Sequence, residues 1–220
     1  MPLHPSDIPG YTPSPSEVHT EDAEPEAYGW WRRETGGEKY VGLETGLDII
    51  AETIKQEGGI DGVIGFSQGG CMATFVASLL EDRRMLSFSS SSSTPYPLSF
   101  QKLQDSGIQG PLKFAIIYSG FYAPSTLYSP FYNPSISTPT LHFIGTLDTV
   151  VEEWRAVGLV ERCERATREV VRHPGGHFVP TGREMVGVLV GWMGGVLLSG
   201  KEEKGKAEEE ESVEDMDVPF

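Results

Sequence analysis

The sequence predicts an α/β fold in which a mostly parallel sheet carries helices on both faces. Short apolar runs of strand length alternate along the chain with longer runs of helical spacing. The run 63–66 is wholly apolar, the run 114–120 is apolar up to Tyr118, and the run 139–145 is apolar apart from Thr140 and His142. Such runs are typical of strands that are buried on both faces, as they are in parallel sheets.

The elements follow one another in a regular order. Apolar residues at helical spacing predict a first helix over 43–54, which Gly58 and Gly59 should end. The Ser- and Pro-rich stretch 87–110 is predicted as an insertion, with a flexible surface loop over 87–100. The remaining predicted elements are strand 63–66, helix 69–82, strand 114–120, strand 139–145, helix 150–163, strand 167–172 and helix 180–198.

Length and charge suggest one domain with polar ends. Residues 1–200 are predicted to form a single domain that begins with a polar leader, 1–40. Residues 201–220, which include four consecutive glutamates, are predicted to be a disordered acidic tail because they cannot bury a core. The net charge of −15 argues against nucleic acid as a partner.

Several classes of protein lack support in the sequence. No apolar stretch is long enough to cross a membrane, and the first residues do not read as a signal peptide, so the prediction is a cytoplasmic protein. Cys71 and Cys163 do not resemble a disulfide pair or a metal site. No cofactor motif is found, and neither a metal nor a cofactor is expected.

One stretch carries the expected chemistry. Gly65-Phe66-Ser67-Gln68-Gly69 is a G-x-S-x-G sequence with an apolar strand before it and a helix-compatible run after it. This is the nucleophile elbow of the α/β-hydrolase fold, in which a sharp turn lifts the serine Oγ above the sheet. The alternative is an ordinary glycine-rich turn between a strand and a helix.

The acid of a catalytic triad should come next, because this fold orders its triad as serine, acid and histidine. Asp148 follows the predicted strand 139–145 in a turn, and catalytic groups gather at the carboxyl ends of parallel strands. Glu152 and Glu153 lie close by, but they are expected to be ordinary acids at the start of a helix.

The base should follow the strand 167–172. His177 is the preferred candidate because two glycines precede it and let the backbone approach the site closely. His173 is the alternative base. If it is not the base, its expected role is structural: a hydrogen bond that orders the loop. His142 lies within a predicted strand and is expected to be packed or at the surface, whereas His4 and His19 precede the elbow.

Four segments together resemble the FSH ("family of serine hydrolases") group, small α/β-hydrolases that are abundant in fungi. The resemblance covers roughly residues 1–198 and implies a hydrolase of carboxylic esters or thioesters. The similarity to some fungal relatives implies a thioesterase that releases acyl chains from polyketide synthases. Its substrate would then be bound to a carrier protein in secondary metabolism. The segments are 28–32 (YGWWR), 40–44 (YVGLE), 62–70 (GVIGFSQGG) and 173–180 (HPGGHFVP).

The beginning of the chain departs from that family, whose members open with a strand, a His-Gly turn, a helix and a second strand. Residues 1–5 resemble the segment after that second strand, so the N-terminal strands of the sheet are expected to be missing. The backbone N–H of Gln68 can serve as one oxyanion donor, but the donor from the early loop has no candidate. Residues 63–66 should then form an apolar sheet edge.

Four aromatic residues are the candidates for the substrate pocket. Trp30, Trp31, Phe121 and Tyr122 could form the walls of an acyl-binding groove, since such sites are mostly apolar. The alternative is that these aromatic residues pack the loops onto the sheet.

The leading prediction is acyl transfer to water through an acyl-enzyme, with Ser67 as nucleophile, His177 as base and Asp148 as the residue that orients the imidazole. The expected partner is a small-molecule acyl ester or thioester. One alternative is a catalytically impaired, truncated hydrolase that acts as a binding protein. Another is acyl transfer to an acceptor other than water.

Overall fold

The computed structural model describes residues 28–36, 38–91 and 94–214. The predictions for 1–27 and 215–220 therefore lie outside the described residues. The main feature is a parallel sheet of four strands, in the order β3-β4-β5-β6. In chain order the strands are β1 (Arg32–Arg33) and β2 (Tyr40–Val41), which form a small antiparallel pair, then β3 (Gly62–Phe66), β4 (Phe114–Tyr118), β5 (Thr140–Gly145) and β6 (Arg168–His173).

Helices connect these strands and confirm the predicted alternation of strand and helix. A 3-10 helix, Thr126–Phe131, lies in the connection between β4 and β5. The α-helices are α1 (Leu43–Gln56), α2 (Gln68–Leu79), α3 (Arg84–Ser91), α4 (Leu98–Asp105), α5 (Glu153–Val160) and α6 (Arg183–Glu214).

Both faces of the sheet are covered, as β4 shows most clearly. Ala115 and Ile117 point into one apolar cluster, which also contains residues of α1 and α2. The alternate positions Phe114, Ile116 and Tyr118 point into a second cluster, against which α6 packs. Because successive side chains of a strand face opposite sides, a strand buried on both faces is expected to be apolar at most positions.

β3 lies at one edge of the sheet among the described residues, as the sequence predicted. Ile64 is in register with Ile116 and Phe66 with Tyr118, so both should face the side that α6 covers. Ile64 is nevertheless 60% exposed and Phe66 39% exposed. The cover provided by α6 therefore does not extend fully to β3.

The prediction of a flexible loop over 87–100 is wrong for 87–91 and for 98–100, which are helical. The structure has α3 and α4 in this region, and the side chains of Phe88, Phe100 and Leu103 are buried in the main cluster. The serines and prolines disfavour helix locally, but these apolar residues anchor both helices to the core and override that weak local propensity.

Secondary structure extends into both polar ends of the chain. In the leader, Trp31 and Tyr40 are buried, so its last part belongs to the core. The bounds of α6 reach Glu214, into the segment predicted to be disordered, and the glutamates, lysines and alanine there are all good helix formers. The domain boundary at residue 200 and the disorder of the tail stay predictions.

Candidate active site

Ser67 occupies a sharp turn between β3 and α2. Its φ of 54° and ψ of −118° are strained values for a residue with a side chain. Its backbone N–H donates to the carbonyl oxygen of Tyr118 at 2.8 Å, which ties the turn to β4. A Cβ on Gly65 would lie 2.0 Å from the carbonyl oxygen of Gly69, so only glycine fits where strand and helix cross.

The structure brings together the three residues that the sequence predicted as a triad. Nε2 of His177 lies 2.9 Å from Oγ of Ser67, and Nδ1 of His177 lies 2.8 Å from Oδ2 of Asp148. Ser67 follows β3, Asp148 follows β5 and His177 follows β6, so all three lie at the carboxyl edge of the sheet. An Nδ1–H that donates to the carboxylate leaves Nε2 free to accept the serine proton.

The environment of Asp148 favours its ionised form. Its side chain is 2% exposed, and Oδ1 accepts hydrogen bonds from the backbone N–H groups of Val150 at 2.9 Å and Val151 at 2.8 Å. Burial alone would raise the pKa of the carboxyl. The hydrogen bonds from Val151, His177 and Val150 outweigh burial and hold the pKa of Asp148 below its usual value.

Backbone hydrogen bonds join the loop of Asp148 to the loop of His177. Thr146 donates its N–H to the carbonyl oxygen of His173 at 2.9 Å, and Leu147 donates to Gly175 at 3.0 Å. A Cβ on Gly145 would lie 2.6 Å from the carbonyl oxygen of Gly175, so this close approach requires glycine. The two loops therefore hold the acid and the imidazole in one fixed arrangement.

The other candidate acids and bases lie elsewhere. His173 is buried, and it is its carbonyl oxygen, not its ring, that bonds to the neighbouring loop. Glu152 accepts a hydrogen bond from the indole of Trp154, and Glu153 pairs with Arg172. His142 is packed inside β5, where it is 2% exposed.

Neither cysteine is suited to nucleophilic chemistry. Cys71 and Cys163 are free and buried, and burial raises the pKa of each thiol to about 12.

Within the described part of the chain, no cluster of three or more His, Cys, Asp or Glu side chains could hold a metal ion. In the same part of the chain, every helix is too short or too polar to span a bilayer.

The comparison with protein families decides the relationship. A family model described as "Serine hydrolase (FSH1)" matches residues 1–188. The chain belongs to this family of serine hydrolases.

Individual relatives agree with that membership. Family of serine hydrolases 3 of Saccharomyces cerevisiae is 29% identical over 181 residues, which are 82% of this chain and 61% of that protein. A Schizosaccharomyces pombe protein named dihydrofolate reductase is 35% identical over 153 residues, 70% of this chain but 29% of that protein. This chain thus spans less than two thirds of either relative, and the second name describes that protein alone.

A solved structure supports the fold. Esterase PE8 superimposes with a TM-score of 0.51 at 18% sequence identity, over 79% of this chain and 72% of that one. At this identity the likeness concerns the α/β-hydrolase fold and not the substrate.

In this FSH1-family chain, Gln68 joins the elbow to the leader. Its side-chain oxygen accepts from the N–H of Trp30 at 2.6 Å, and its side-chain nitrogen donates to the carbonyl of Trp31 at 2.9 Å. Gln68 is also the first residue of α2, where backbone N–H groups have no acceptor within the helix. Its N–H as an oxyanion donor stays a prediction.

The four aromatic candidates for the pocket occupy different surroundings. Trp31 is 2% exposed and stacks on Tyr40 in the core, which is the packing alternative. Trp30 is 37% exposed, and its indole nitrogen would lie 3.5 Å from a Cβ on Gly69 of the elbow. Phe121 and Tyr122 are half-buried, and each lies against the guanidinium of an arginine, Arg155 and Arg162 respectively.

Two residues of the site were not singled out by the sequence. The ring of Phe66 lies 4.7 Å from the imidazole of His177, and its place in the elbow next to Ser67 could have indicated this. Ser119 directly follows β4, with a φ of 46° and a buried hydroxyl. Its only sequence signal is a Ser-Gly pair at the end of a predicted strand.

Proposed function

We propose that this chain hydrolyses carboxylic esters or thioesters through an acyl-enzyme on Ser67. The observation that carries the proposal is the continuous hydrogen-bonded chain from Oγ of Ser67 through His177 to Asp148, with distances of 2.9 and 2.8 Å. Membership of a serine hydrolase family supports the reaction class.

In the first half-reaction, Oγ of Ser67 attacks the carbonyl carbon while Nε2 of His177 takes the hydroxyl proton. Asp148 stabilises the imidazolium that forms. The N–H of Gln68 donates a hydrogen bond to the negatively charged oxygen of the tetrahedral intermediate. When that intermediate collapses, His177 returns the proton to the leaving alcohol or thiol, and the acyl group stays on Ser67.

In the second half-reaction, water takes the place of the leaving group. His177 removes a proton from the water as it attacks the acyl carbonyl, and Oγ of Ser67 leaves with that proton. The products are a carboxylic acid and the regenerated serine. The reaction involves no oxidation or reduction, and His177 carries out each proton transfer.

The substrate and the cellular location are also proposals. The substrate is a small acyl ester or thioester, and a carrier-protein-bound acyl chain in secondary metabolism is the specific case that we propose. The location that we propose is the cytoplasm.

A fluorophosphonate probe tests the proposed nucleophile, because such probes react with activated serines. We expect the probe to label the wild type and to fail with Ser67→Ala. Ser129→Ala, at an exposed serine in the 3-10 helix, is the control and should label like the wild type. Equal labelling of Ser67→Ala would overturn the assignment.

Turnover distinguishes the substrates. Hydrolysis of p-nitrophenyl acetate and of an acetyl thioester should be measured as kcat/KM for the same three proteins. Hydrolysis of either substrate that Ser67→Ala abolishes supports the proposal. Absence of both labelling and turnover in the wild type would favour the alternative of a binding protein.

A further inference from the structure

Ser119 has two unfavourable features that a glycine would avoid. Its φ of 46° lies in the left-handed region, where a side chain strains the backbone. Its hydroxyl is fully buried and has no hydrogen-bond partner among the described residues, which further destabilises the folded state. This combination suggests that the hydroxyl itself has a role, because glycine would supply the backbone conformation without either cost.

Ser119 lies in the floor of the candidate site. Its N–H donates to the carbonyl of Phe143 on β5 at 2.9 Å, and the preceding residue, Tyr118, accepts from the N–H of Ser67 at 2.8 Å. β4 thus separates the strand of the nucleophile from the strand that leads to Asp148. Since neighbouring strands lie about 4.8 Å apart, the backbone of Ser119 is about one strand spacing from the end of β3 and one from the end of β5.

The turn at Ser119 also packs directly on the elbow. A Cβ on Gly70 would lie 2.9 Å from Cα of Gly120, and a Cβ on Gly120 would lie 3.3 Å from the carbonyl carbon of Gly70. The positive φ of Ser119 therefore belongs to a contact between backbones that fixes the first turn of α2.

Asp148 has unused capacity to accept a hydrogen bond. Oδ1 accepts two backbone N–H groups, whereas Oδ2 accepts only Nδ1 of His177 among the described residues. A carboxylate oxygen can accept two hydrogen bonds, and the 2% exposure of this side chain leaves little access for solvent. A buried hydroxyl without an acceptor and a buried carboxylate oxygen with spare capacity thus occupy the same end of neighbouring strands.

We propose that Ser119 is a positioning residue, whose side chain adopts a second rotamer in the working site and there donates a hydrogen bond from its hydroxyl to Oδ2 of Asp148. The hydrogen bond holds the carboxylate against His177 and favours its ionised form. This inference rests on the proposed function for its effect on turnover, but not for the contact itself.

The contact is tested by carbon-13 NMR titration of the Asp148 carboxyl, which is assigned by its loss in Asp148→Asn. Removing a donor to a carboxylate disfavours the charged form, so Ser119→Ala should move the titration midpoint upward by about one pH unit. Ser119→Gly should give the same shift, because it removes the same hydroxyl. The two variants should differ in Tm, which is higher for glycine because it also relieves the strained φ.

Turnover provides a second measurement. The kcat of Ser119→Ala should fall about tenfold with KM unchanged, the effect of one hydrogen bond to a charged group. Ser78→Ala is the matched control, since its buried hydroxyl donates to the carbonyl of Phe131 at 2.6 Å, at the other end of α2. It should lower Tm but change neither the midpoint nor kcat.

The outcomes separate the two proposals. An unchanged midpoint in both Ser119 variants overturns the inference whether or not the protein hydrolyses esters. A shifted midpoint in a protein that neither reacts with the fluorophosphonate nor turns over substrate supports the contact and contradicts the proposed function.

Discussion

Gly65 and Gly69 approach each other so closely that a Cβ on Gly65 would lie 2.0 Å from the carbonyl oxygen of Gly69. This contact sets the angle at which α2 leaves β3, and therefore the position of Ser67 above the sheet. We expect Gly65→Ala to abolish probe labelling of Ser67 and to lower Tm, since backbone must move to accept the methyl group. Gly187→Ala on α6, where nothing lies within 4 Å of the added Cβ, is the control.

In that control, alanine should stabilise the helix by up to about 1 kcal/mol relative to glycine and leave labelling intact. Circular dichroism melts and probe labelling of the two variants check the pair of expectations. Full labelling in Gly65→Ala would contradict this account of the elbow.

Asp148→Asn should keep the shape of the side chain but remove the charge that stabilises the imidazolium. The expected loss in kcat is on the order of 10⁴, with a small change in KM, as in other serine triads. Steady-state hydrolysis of a p-nitrophenyl ester measures it. Asp48→Asn, on the exposed surface of α1, should leave kcat unchanged, and a similar loss in both variants would exclude a specific role for Asp148.

His142 should make the folded state sensitive to acid. Burial, aided by the nearby charge of Arg168, lowers the pKa of His142 from 6.5 to about 3. Between these values the unfolded chain binds a proton that the folded chain does not bind. The free energy of unfolding should therefore fall as the pH drops below 6.5, by at most about 1.4 kcal/mol per pH unit from this residue.

Urea denaturation at pH 7.5 and 5.0 measures this dependence. His142→Gln should flatten it by up to one proton, because the glutamine does not titrate. Cys163→Ala should keep it, although Sγ of Cys163 lies 3.6 Å from Nε2 of His142, because burial is the main cause of the shift. An unchanged slope in His142→Gln would show that other groups dominate the acid response.

The edge strand β3 should promote self-association. Ile64 is 60% exposed on a strand with one unpaired side among the described residues. We expect Ile64→Lys to reduce concentration-dependent association in light scattering, because a lysine on an edge strand opposes pairing with another chain. Ile49→Lys replaces an isoleucine that is 48% exposed on α1, and it should have a smaller effect if the edge is responsible.

Local sequence was sufficient for the strands and for the order of the site residues. The run at β4 is apolar at every position and that at β5 is apolar apart from Thr140 and His142, a pattern typical of buried parallel strands. Sequence was insufficient for α3 and α4, where serine and proline indicated a loop. Phe88, Phe100 and Leu103 hold these helices through contacts with residues distant in the chain, and no local pattern reports such contacts.

The sequence by itself determined the nucleophile elbow, since only glycines fit where β3 and α2 cross, and it placed an aspartate and a histidine after later strands. Only the tertiary structure decided between His173 and His177, because the choice depends on which ring reaches Ser67 across the ends of β4 and β5. The tertiary structure also decided that Trp31 is a core residue and that Ser119 lies beneath the site. Those facts depend on packing between segments far apart in the chain, for which local sequence has no signal.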